Sequence, residues 1–280
     1  MVEYTKCNYC SRDESTTLFR EGGLNIVRCD CGLIYTNPRL TESELNKLYS
    51  TFNVSFDRSV MRSWIKIANK RIREIKKFKK SGSLLEIGCS LGYFLRGAKA
   101  SGYEPYGIDV STGAIKIAKR EFGLKNVWCK TLEDFNTKQK FDIIAMYHVL
   151  EHTRDPMRTI KKIKTLLKKD GLFVIEVPDV NSLKAKLLKS KWIAYDFNLH
   201  LYYFSYKTLK NFMAANGFEI IKTKKIPNIL LNQFGGKATK TVSSLPPKAK
   251  SMLSDCHRLL TFALGKASIG DSIQIYCKLK

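Results

Sequence analysis

The sequence predicts an α/β fold in which helices cover both faces of a mostly parallel sheet. Two observations favour this class. Short apolar runs alternate with helical patterns from residue 84 onward, which is typical of strand–helix–strand crossovers. The composition, with 44% hydrophobic and 26% charged residues, is that of a globular protein and excludes a largely disordered chain.

The elements of this core follow one another closely. Apolar runs predict strands at residues 84–87, 105–109, 126–129, 141–147, 171–177, 217–223 and 272–279. Helical patterns predict helices at residues 92–101, 112–122, 156–168 and 206–216. A longer helix is expected at 57–80, because apolar side chains recur there at helical spacing between lysines and arginines.

Four cysteines form two close pairs near the N-terminus, at Cys7, Cys10, Cys29 and Cys31. Four thiolates complete a tetrahedral zinc site, and such a closed site is structural. The second pair is Cys-x-Cys where zinc ribbons usually have Cys-x-x-Cys, so reduced thiols without metal are the alternative. The other cysteines are expected to be small buried apolar residues, at positions 89, 129, 256 and 277.

Four units are therefore predicted along the chain. They are a zinc-ribbon-like segment at 1–40, a helical linker at 41–80, the core at 81–225, and a basic insertion with the last strand at 226–280.

Positive charge is concentrated in the flanks of the core. The chain has 49 basic and 25 acidic residues, a net charge of +24, and residues 181–280 alone contribute +13. Such a field favours anionic partners such as nucleotides, nucleic acid or a membrane surface. No stretch approaches the roughly 20 apolar residues of a membrane span, and the N-terminus lacks the pattern of a signal peptide. We therefore expect a cytoplasmic protein.

A glycine-containing loop, residues 86–92, joins the first core strand to the first core helix. Its glycines let backbone approach a ligand closely, and the helix beyond offers free N–H groups. Ser90 and Tyr93 break the spacing of a dinucleotide fingerprint, and no lysine follows as in a phosphate-binding loop. The loop is thus expected to bind a ligand of another class.

Asp109 ends the second strand, where a carboxylate can accept hydrogen bonds from both ribose hydroxyls of an adenosine. The alternative is that Asp109 or Ser111 caps the helix at 112–122.

Residues 86–92 and 106–109 resemble the class I S-adenosylmethionine-dependent methyltransferases. The resemblance covers about residues 80–225. It implies a Rossmann-like sheet of seven strands with the last strand antiparallel. It also implies that Glu86 and Gly88 lie by the methionine end of the cofactor, and Asp109 by its ribose.

Three further cofactor contacts are implied by position. Ser90 stands where the family usually has glycine, and it can still offer its N–H, although a positive φ would strain it. Gly92 closes the loop. Glu133 follows the third strand, where the family carries an acid near the adenine amine; a solvated loop is the alternative.

Two histidines follow the fourth strand, in the run Tyr147-His148-Val149-Leu150-Glu151-His152. Reacting groups lie at the carboxyl ends of strands in open α/β sheets, and histidine can remove a proton near neutral pH. His148 is expected to serve the cofactor pocket or the structure, and His152 to face the acceptor. Both could instead cap backbone carbonyls.

The Leu-Glu-His run resembles a branch that includes ubiquinone-type O-methyltransferases and deoxysugar methyltransferases. This implies that Glu151 and His152 lie in the acceptor pocket, where Glu151 orients the imidazole or holds a divalent ion. His200 lies in a His-Leu-x-x-Phe-Ser run that resembles the sugar and cell-surface polymer branch, in which it closes the pocket.

Three functions are weighed. The favoured one is methylation, on oxygen or carbon, of an anionic small-molecule acceptor or a lipid- or nucleotide-linked glycan. An N-terminal ribbon ahead of this core resembles enzymes of O-antigen and nucleotide-sugar pathways. It also occurs in some ribosomal RNA methyltransferases, so an enzyme acting on ribosomal or transfer RNA is the alternative. The third is a non-enzymatic scaffold or a peripheral membrane-surface protein.

Overall fold

The computed structural model describes residues 1–50, 54–227 and 270–280. The N-terminal elements are β1 (Val2–Glu3), β2 (Ser15–Glu21), β3 (Leu24–Cys29), β4 (Ile34–Thr36), β5 (Arg39–Leu40), α1 (Glu42–Ser50) and α2 (Arg58–Ile75). Next come β6 (Gly82–Ile87), α3 (Tyr93–Ala100), β7 (Tyr103–Asp109), α4 (Thr112–Phe122), β8 (Val127–Cys129), β9 (Phe141–Tyr147), α5 (Pro156–Leu166) and β10 (Leu167–Pro178). The last are α6 (Leu183–Leu188), β11 (Tyr202–Tyr203), α7 (Tyr206–Ala215), β12 (Phe218–Ile226) and β13 (Ser272–Leu279).

Seven strands form the central sheet in the order β8-β7-β6-β9-β10-β13-β12. The four pairings among β8, β7, β6, β9 and β10 are parallel, whereas β13 is antiparallel to both of its neighbours. The sheet is therefore mixed, and the expected antiparallel last strand is confirmed. Its central strands are buried along nearly their whole length, as apolar strands covered on both faces must be.

The largest differences from the predicted element ends are those of α2 and β10. The helix α2 stops at Ile75 rather than at residue 80, because its buried stripe of Ala68, Ile72 and Ile75 ends there. The strand β10 begins at Leu167 rather than at residue 171, and its pairing with β9 shifts register between Leu167 and Leu172. Three exposed polar residues follow Leu167 in this part of β10, so the apolar run that predicts the strand begins only after them.

The N-terminal segment packs onto the core. A hairpin of β2 and β3 separates the two cysteine pairs. The hairpin, β4 and β11 form a second sheet in which Tyr35 pairs with Tyr202. Leu33 and Tyr35 belong to the same buried cluster as Phe212 of α7. The segment thus shares a core with the central domain, and the unit boundary at residue 40 stays a prediction.

No helix among the described residues is both long and apolar enough to cross a bilayer. Most of the predicted basic insertion, residues 228–269, lies outside the described residues.

Candidate functional site

The loop after β6 brings backbone rather than side chains to the carboxyl end of the sheet. Gly88 and Gly92 have left-handed φ angles of 73° and 80°, and Ser90 between them has a φ of 45°. A Cβ on Gly88 would lie 2.3 Å from Cγ2 of Val149, so a larger residue does not fit. The positive φ at Ser90 is present as foreseen, and for a residue other than glycine it costs roughly 1–2 kcal/mol.

Asp109 is held by two backbone donors. Its Oδ2 accepts the N–H of Ser90 and its Oδ1 accepts the N–H of Ser111, both at 2.8 Å. Ser111 is the N-cap of α4, because its Oγ accepts the N–H of Ala114, so Asp109 is not the cap. Burial raises the pKa of Asp109, and the two N–H donors oppose that rise. Each carboxylate oxygen keeps a further acceptor position for a ligand.

Three buried polar atoms in this region have no hydrogen-bond partner among the described residues. They are Oε2 of Glu86 and the hydroxyls of Tyr93 and Tyr147. Burial raises the pKa of Glu86 well above its usual value. Because buried polar groups are normally paired, these atoms fit a cleft that binds a polar ligand.

Arg71 reaches this region from α2 and was missed by the sequence analysis. Its guanidinium lies 3.7 Å from the ring centroid of Tyr147, and Nη2 lies 3.2 Å from Oε1 of Glu176. A signal was available, since Arg71 lies three residues after buried Ala68 and four before buried Ile75. Glu176, also missed, is the one acid in the apolar run at 171–177.

His148 lies between two buried carboxylates. Its Nδ1 is 3.2 Å from Oε1 of Glu151, and its Nε2 is 3.1 Å from Oε1 of Glu176. Burial alone would lower the pKa of His148, but the hydrogen bonds to the two glutamates outweigh it and raise the pKa to about 9. His148 is therefore an imidazolium that offsets buried negative charge, with both of its nitrogens engaged. A part in the cofactor pocket stays a prediction.

Glu151, His152 and His200 bring three electron-pair donors together. One ligand atom from each lies within 4.8 Å of the others, and the two imidazole centroids are 4.6 Å apart. Glu151 is 1% exposed, and its Oε2 has no partner among the described residues. The carboxylate therefore keeps an unused acceptor atom, and one of its two oxygens belongs to the cluster.

Backbone carbonyls orient both imidazoles. Nδ1 of His152 lies 3.0 Å from the oxygen of Leu199, and Nδ1 of His200 lies 2.8 Å from the oxygen of Ala194. A carbonyl oxygen can only accept, so each Nδ1 carries a proton and each Nε2 presents a lone pair. Burial and the neighbouring His152 lower the pKa of His200 to about 4, so this ring is neutral near pH 7. The cluster can accept a hydroxyl proton or hold a divalent cation.

A surface cavity of about 370 Å³ is lined in part by Asn198, close in sequence to His200. Its lining residues are Leu40, Glu44, Lys47, Leu48 and Asn198. Asn198 precedes Leu199, whose carbonyl orients His152. The mixed polar and apolar lining suits a polar acceptor with some apolar surface.

Glu133 is exposed in the loop after β8. The hydroxyl of Thr131 donates a hydrogen bond of 2.7 Å to Oδ2 of Asp134, the neighbour of Glu133. The adenine-side role of Glu133 stays a prediction.

The four N-terminal cysteines converge. One Sγ from each lies within 4.8 Å of the others, with 3.5 Å between Cys7 and Cys31 and 3.4 Å between Cys10 and Cys29. Both separations exceed a disulfide bond of about 2.05 Å, and the donor set fits a tetrahedral zinc ion.

The remaining cysteines differ among themselves. Cys89 and Cys277 are buried as expected, and Cys256 lies outside the described residues. Cys129 is exposed, so that prediction is wrong. It ends the short strand β8 at the open edge of the sheet.

The chain is similar to known methyltransferases in sequence. A family described as "Methyltransferase domain" matches residues 59–223. The ubiquinone biosynthesis O-methyltransferase of Actinobacillus pleuropneumoniae is 33% identical over 115 residues, which are 38% of this chain and 49% of that protein. An uncharacterized protein of Methanocaldococcus jannaschii is 29% identical over 157 residues, 56% of this chain and 74% of that protein. The match thus spans about half the length of the ubiquinone-pathway relative.

Solved structures share the fold. A SAM-dependent methyltransferase from Archaeoglobus fulgidus superposes with a TM-score of 0.53 at 20% identity, covering 76% of this chain and 94% of that chain. The plantazolicin methyltransferase BpumL, solved in complex with SAH, has a TM-score of 0.52 at 14% identity, covering 85% and 90%. The family match covers more than half of the chain, and the sheet carries its glycine loop and terminal acid at neighbouring strand ends. The chain therefore belongs to the methyltransferase-domain family, and its core has the fold of S-adenosylmethionine-dependent methyltransferases.

Proposed function

We propose that the protein transfers a methyl group from S-adenosylmethionine to an oxygen or carbon of a glycan-type small molecule, or of a lipid- or nucleotide-linked glycan. The observation that carries this proposal is the cluster of Glu151, His152 and His200, in which one ligand atom from each residue lies within 4.8 Å of the others. Methylation of a hydroxyl or a carbon requires removal of a proton, and the cluster offers a base for it.

In the proposed cofactor cleft, S-adenosylmethionine supplies an electrophilic methyl group. Asp109 offers its remaining lone pairs to ribose hydroxyls, and backbone at Gly88 and Gly92 allows close approach. Glu86, Tyr93 and Tyr147 offer unpaired polar atoms to the methionine end. These orphan atoms support the fit of the cofactor to this chain.

His152 is the better candidate for the base. As the acceptor atom bonds to the methyl carbon, the carbon–sulfur bond of the sulfonium would break with its electron pair left on sulfur, and the acceptor proton would move to Nε2 of His152. The carboxylate of Glu151, which lies in the same cluster, would then stabilise the resulting imidazolium. His200 stays neutral because its pKa is lowered to about 4 by burial, so it serves to bind the acceptor through its Nε2.

We also propose a structural zinc ion at Cys7, Cys10, Cys29 and Cys31. Four thiolates leave no open coordination position, so the metal would hold the two cysteine-bearing turns together rather than take part in the reaction. A cytoplasmic location stays a prediction.

The proposal is tested by incubating purified protein and methyl-labelled cofactor with fractionated cell extract. Label in nucleotide-sugar or lipid-glycan fractions is expected, and it should disappear with the Asp109→Ala variant. Label confined to RNA would establish the RNA-directed alternative, which the net charge of +24 also accommodates. Absence of label in every fraction, together with absent cofactor binding, would refute methyl transfer.

A further inference from the structure

Exposed apolar side chains are concentrated on one short segment, which we call the α6 surface and define as residues 183–193. Ten large apolar side chains are exposed among the described residues, and four of them lie on this surface. They are Leu183, Leu187, Leu188 and Ile193, with exposed fractions of 47%, 71%, 47% and 44%. Single exposed leucines are ordinary, whereas a cluster of this kind marks an interaction site.

The underside of the segment is firmly packed. Ala185, Trp192 and Ala194 form a buried cluster, in which the Trp192 ring meets Tyr195 edge to face at 5.1 Å. The four exposed apolar side chains are therefore presented from an anchored backbone, and they do not result from local fraying.

The same surface is strongly basic. Lys184, Lys186, Lys189 and Lys191 interleave with the apolar side chains, and residues 180–195 contain no acid. Lys184 pairs with Asp271 at 2.7 Å. The other three lysines are exposed and take part in no ion pair within the described parts of the chain. Leucine next to unpaired lysine is the composition that binds the interface of an anionic bilayer.

The α6 surface is continuous with the proposed acceptor site. Two residues after the buried Trp192, the carbonyl oxygen of Ala194 orients the imidazole of His200. The segment that would contact the bilayer is therefore joined by only a few residues to the cluster that is proposed to receive the acceptor.

We propose that the α6 surface docks on anionic phospholipid membranes and thereby presents a lipid-anchored acceptor to the Glu151–His152–His200 cluster. The choice of acceptor rests on the proposed function, whereas the membrane contact itself does not. The four lysines disfavour a second copy of the same surface as the occupant, because like charges would face each other. Nucleic acid would engage the lysines but leave the leucines exposed to water.

Vesicle flotation tests the docking directly. The full chain is mixed with vesicles of phosphatidylcholine alone, or of phosphatidylcholine with phosphatidylglycerol. We expect binding to the anionic vesicles only, weakened by salt. Leu187→Glu should weaken this binding roughly tenfold or more. An apolar side chain is lost from the contact, and the added negative charge is repelled by the anionic lipid. Joint replacement of Lys186, Lys189 and Lys191 by glutamine should weaken it roughly fivefold per lysine.

Tyr4→Glu is the matched control, since Tyr4 is 80% exposed and lies outside the α6 surface. It should bind vesicles as the unaltered chain does. Equal binding by Leu187→Glu would overturn the proposal and assign the contact to another part of the chain, such as residues 228–269. Self-association in the absence of vesicles that Leu187→Glu removes would also overturn it, in favour of a second copy.

Cofactor affinity, measured by titration without vesicles, separates this proposal from the proposed function. It should be unchanged in all of these variants. Vesicle binding by a chain that does not bind cofactor would retain the docking surface and remove the methyl-transfer proposal. Cofactor binding without vesicle binding would remove the docking surface and retain the methyl-transfer proposal.

Discussion

The imidazole rings of His152 and His200 meet edge to face with centroids 4.6 Å apart, although one follows β9 and the other follows β10. Each ring donates its Nδ1–H to a backbone carbonyl, so both Nε2 lone pairs remain available. One oxygen of the Glu151 carboxylate belongs to the same cluster. A proton, a cation or a substrate hydroxyl placed between these acceptors would satisfy them.

His152→Ala should lower kcat by roughly 10²- to 10⁴-fold, the usual contribution of a positioned base. Cofactor affinity should stay unchanged, because Asp109 and the glycine loop are untouched. Added imidazole should restore part of the rate if the ring acts as a base, and should have no effect if it only fills space. Turnover of His152→Ala at the unaltered rate would exclude the base role.

Asp109→Ala should weaken cofactor binding by roughly a hundredfold or more, since a carboxylate that accepts two hydroxyls contributes about 1.5–3 kcal/mol for each bond. Calorimetric titration measures this. The matched control is Asp170→Ala, because Asp170 is an exposed acid outside the cleft. An unchanged affinity in Asp109→Ala would remove the ribose role.

The sequence predicted the seven core strands because a strand covered on both faces must be apolar along its length. It missed β11, since Tyr202 and Tyr203 become a strand only through pairing with β4, a contact between segments far apart in the chain. The same limit applies to element ends. Lys168 and Asp170 break the apolar pattern of β10, although the backbone there is already extended.

The candidate site also contains some residues that local sequence motifs predict and others that only tertiary contacts bring together. Asp109, the glycine loop and the Leu-Glu-His run lie in local motifs, so residue type and spacing reveal them. Arg71 on α2 and Glu176 on β10 are far apart in the chain and meet only in the folded structure, so no local pattern encodes their ion pair. The engagement of both nitrogens of His148 depends on this contact as well.

Gly88→Ala and Ser90→Gly should have contrasting effects. The added methyl at Gly88 would lie 2.3 Å from Val149 at a φ of 73°, which should destabilise the fold by about 1–3 kcal/mol. Ser90→Gly relieves backbone strain at a φ of 45°, but glycine also raises the conformational entropy of the unfolded chain. Because the two effects oppose each other, the free energy of unfolding should change by less than about 1 kcal/mol. Denaturant unfolding compares the two, and equal effects would contradict this account of the loop.

Metal analysis should find one zinc ion per chain. Cys31→Ser should lower the zinc content and loosen residues 1–40, because the metal would hold the two cysteine-bearing turns together. Cys129→Ser is the matched control, since that thiol is exposed and outside the cluster. A metal-free N-terminal segment that stays folded and resists proteolysis would show that packing alone holds it.

The pair of glutamates around His148 should make stability depend on pH in a defined window. The pKa of His148 is raised to about 9 in the folded chain, against roughly 6.5 when unfolded. Its contribution to folding is therefore complete below about pH 6.5 and is lost as the pH rises through about 9, a change on the order of a few kcal/mol. His148→Gln keeps a hydrogen-bonding side chain but cannot titrate, so its free energy of unfolding should fall less steeply over that window. Identical pH profiles for His148→Gln and the unaltered chain, measured by denaturant unfolding, would mean that His148 is not charged between Glu151 and Glu176.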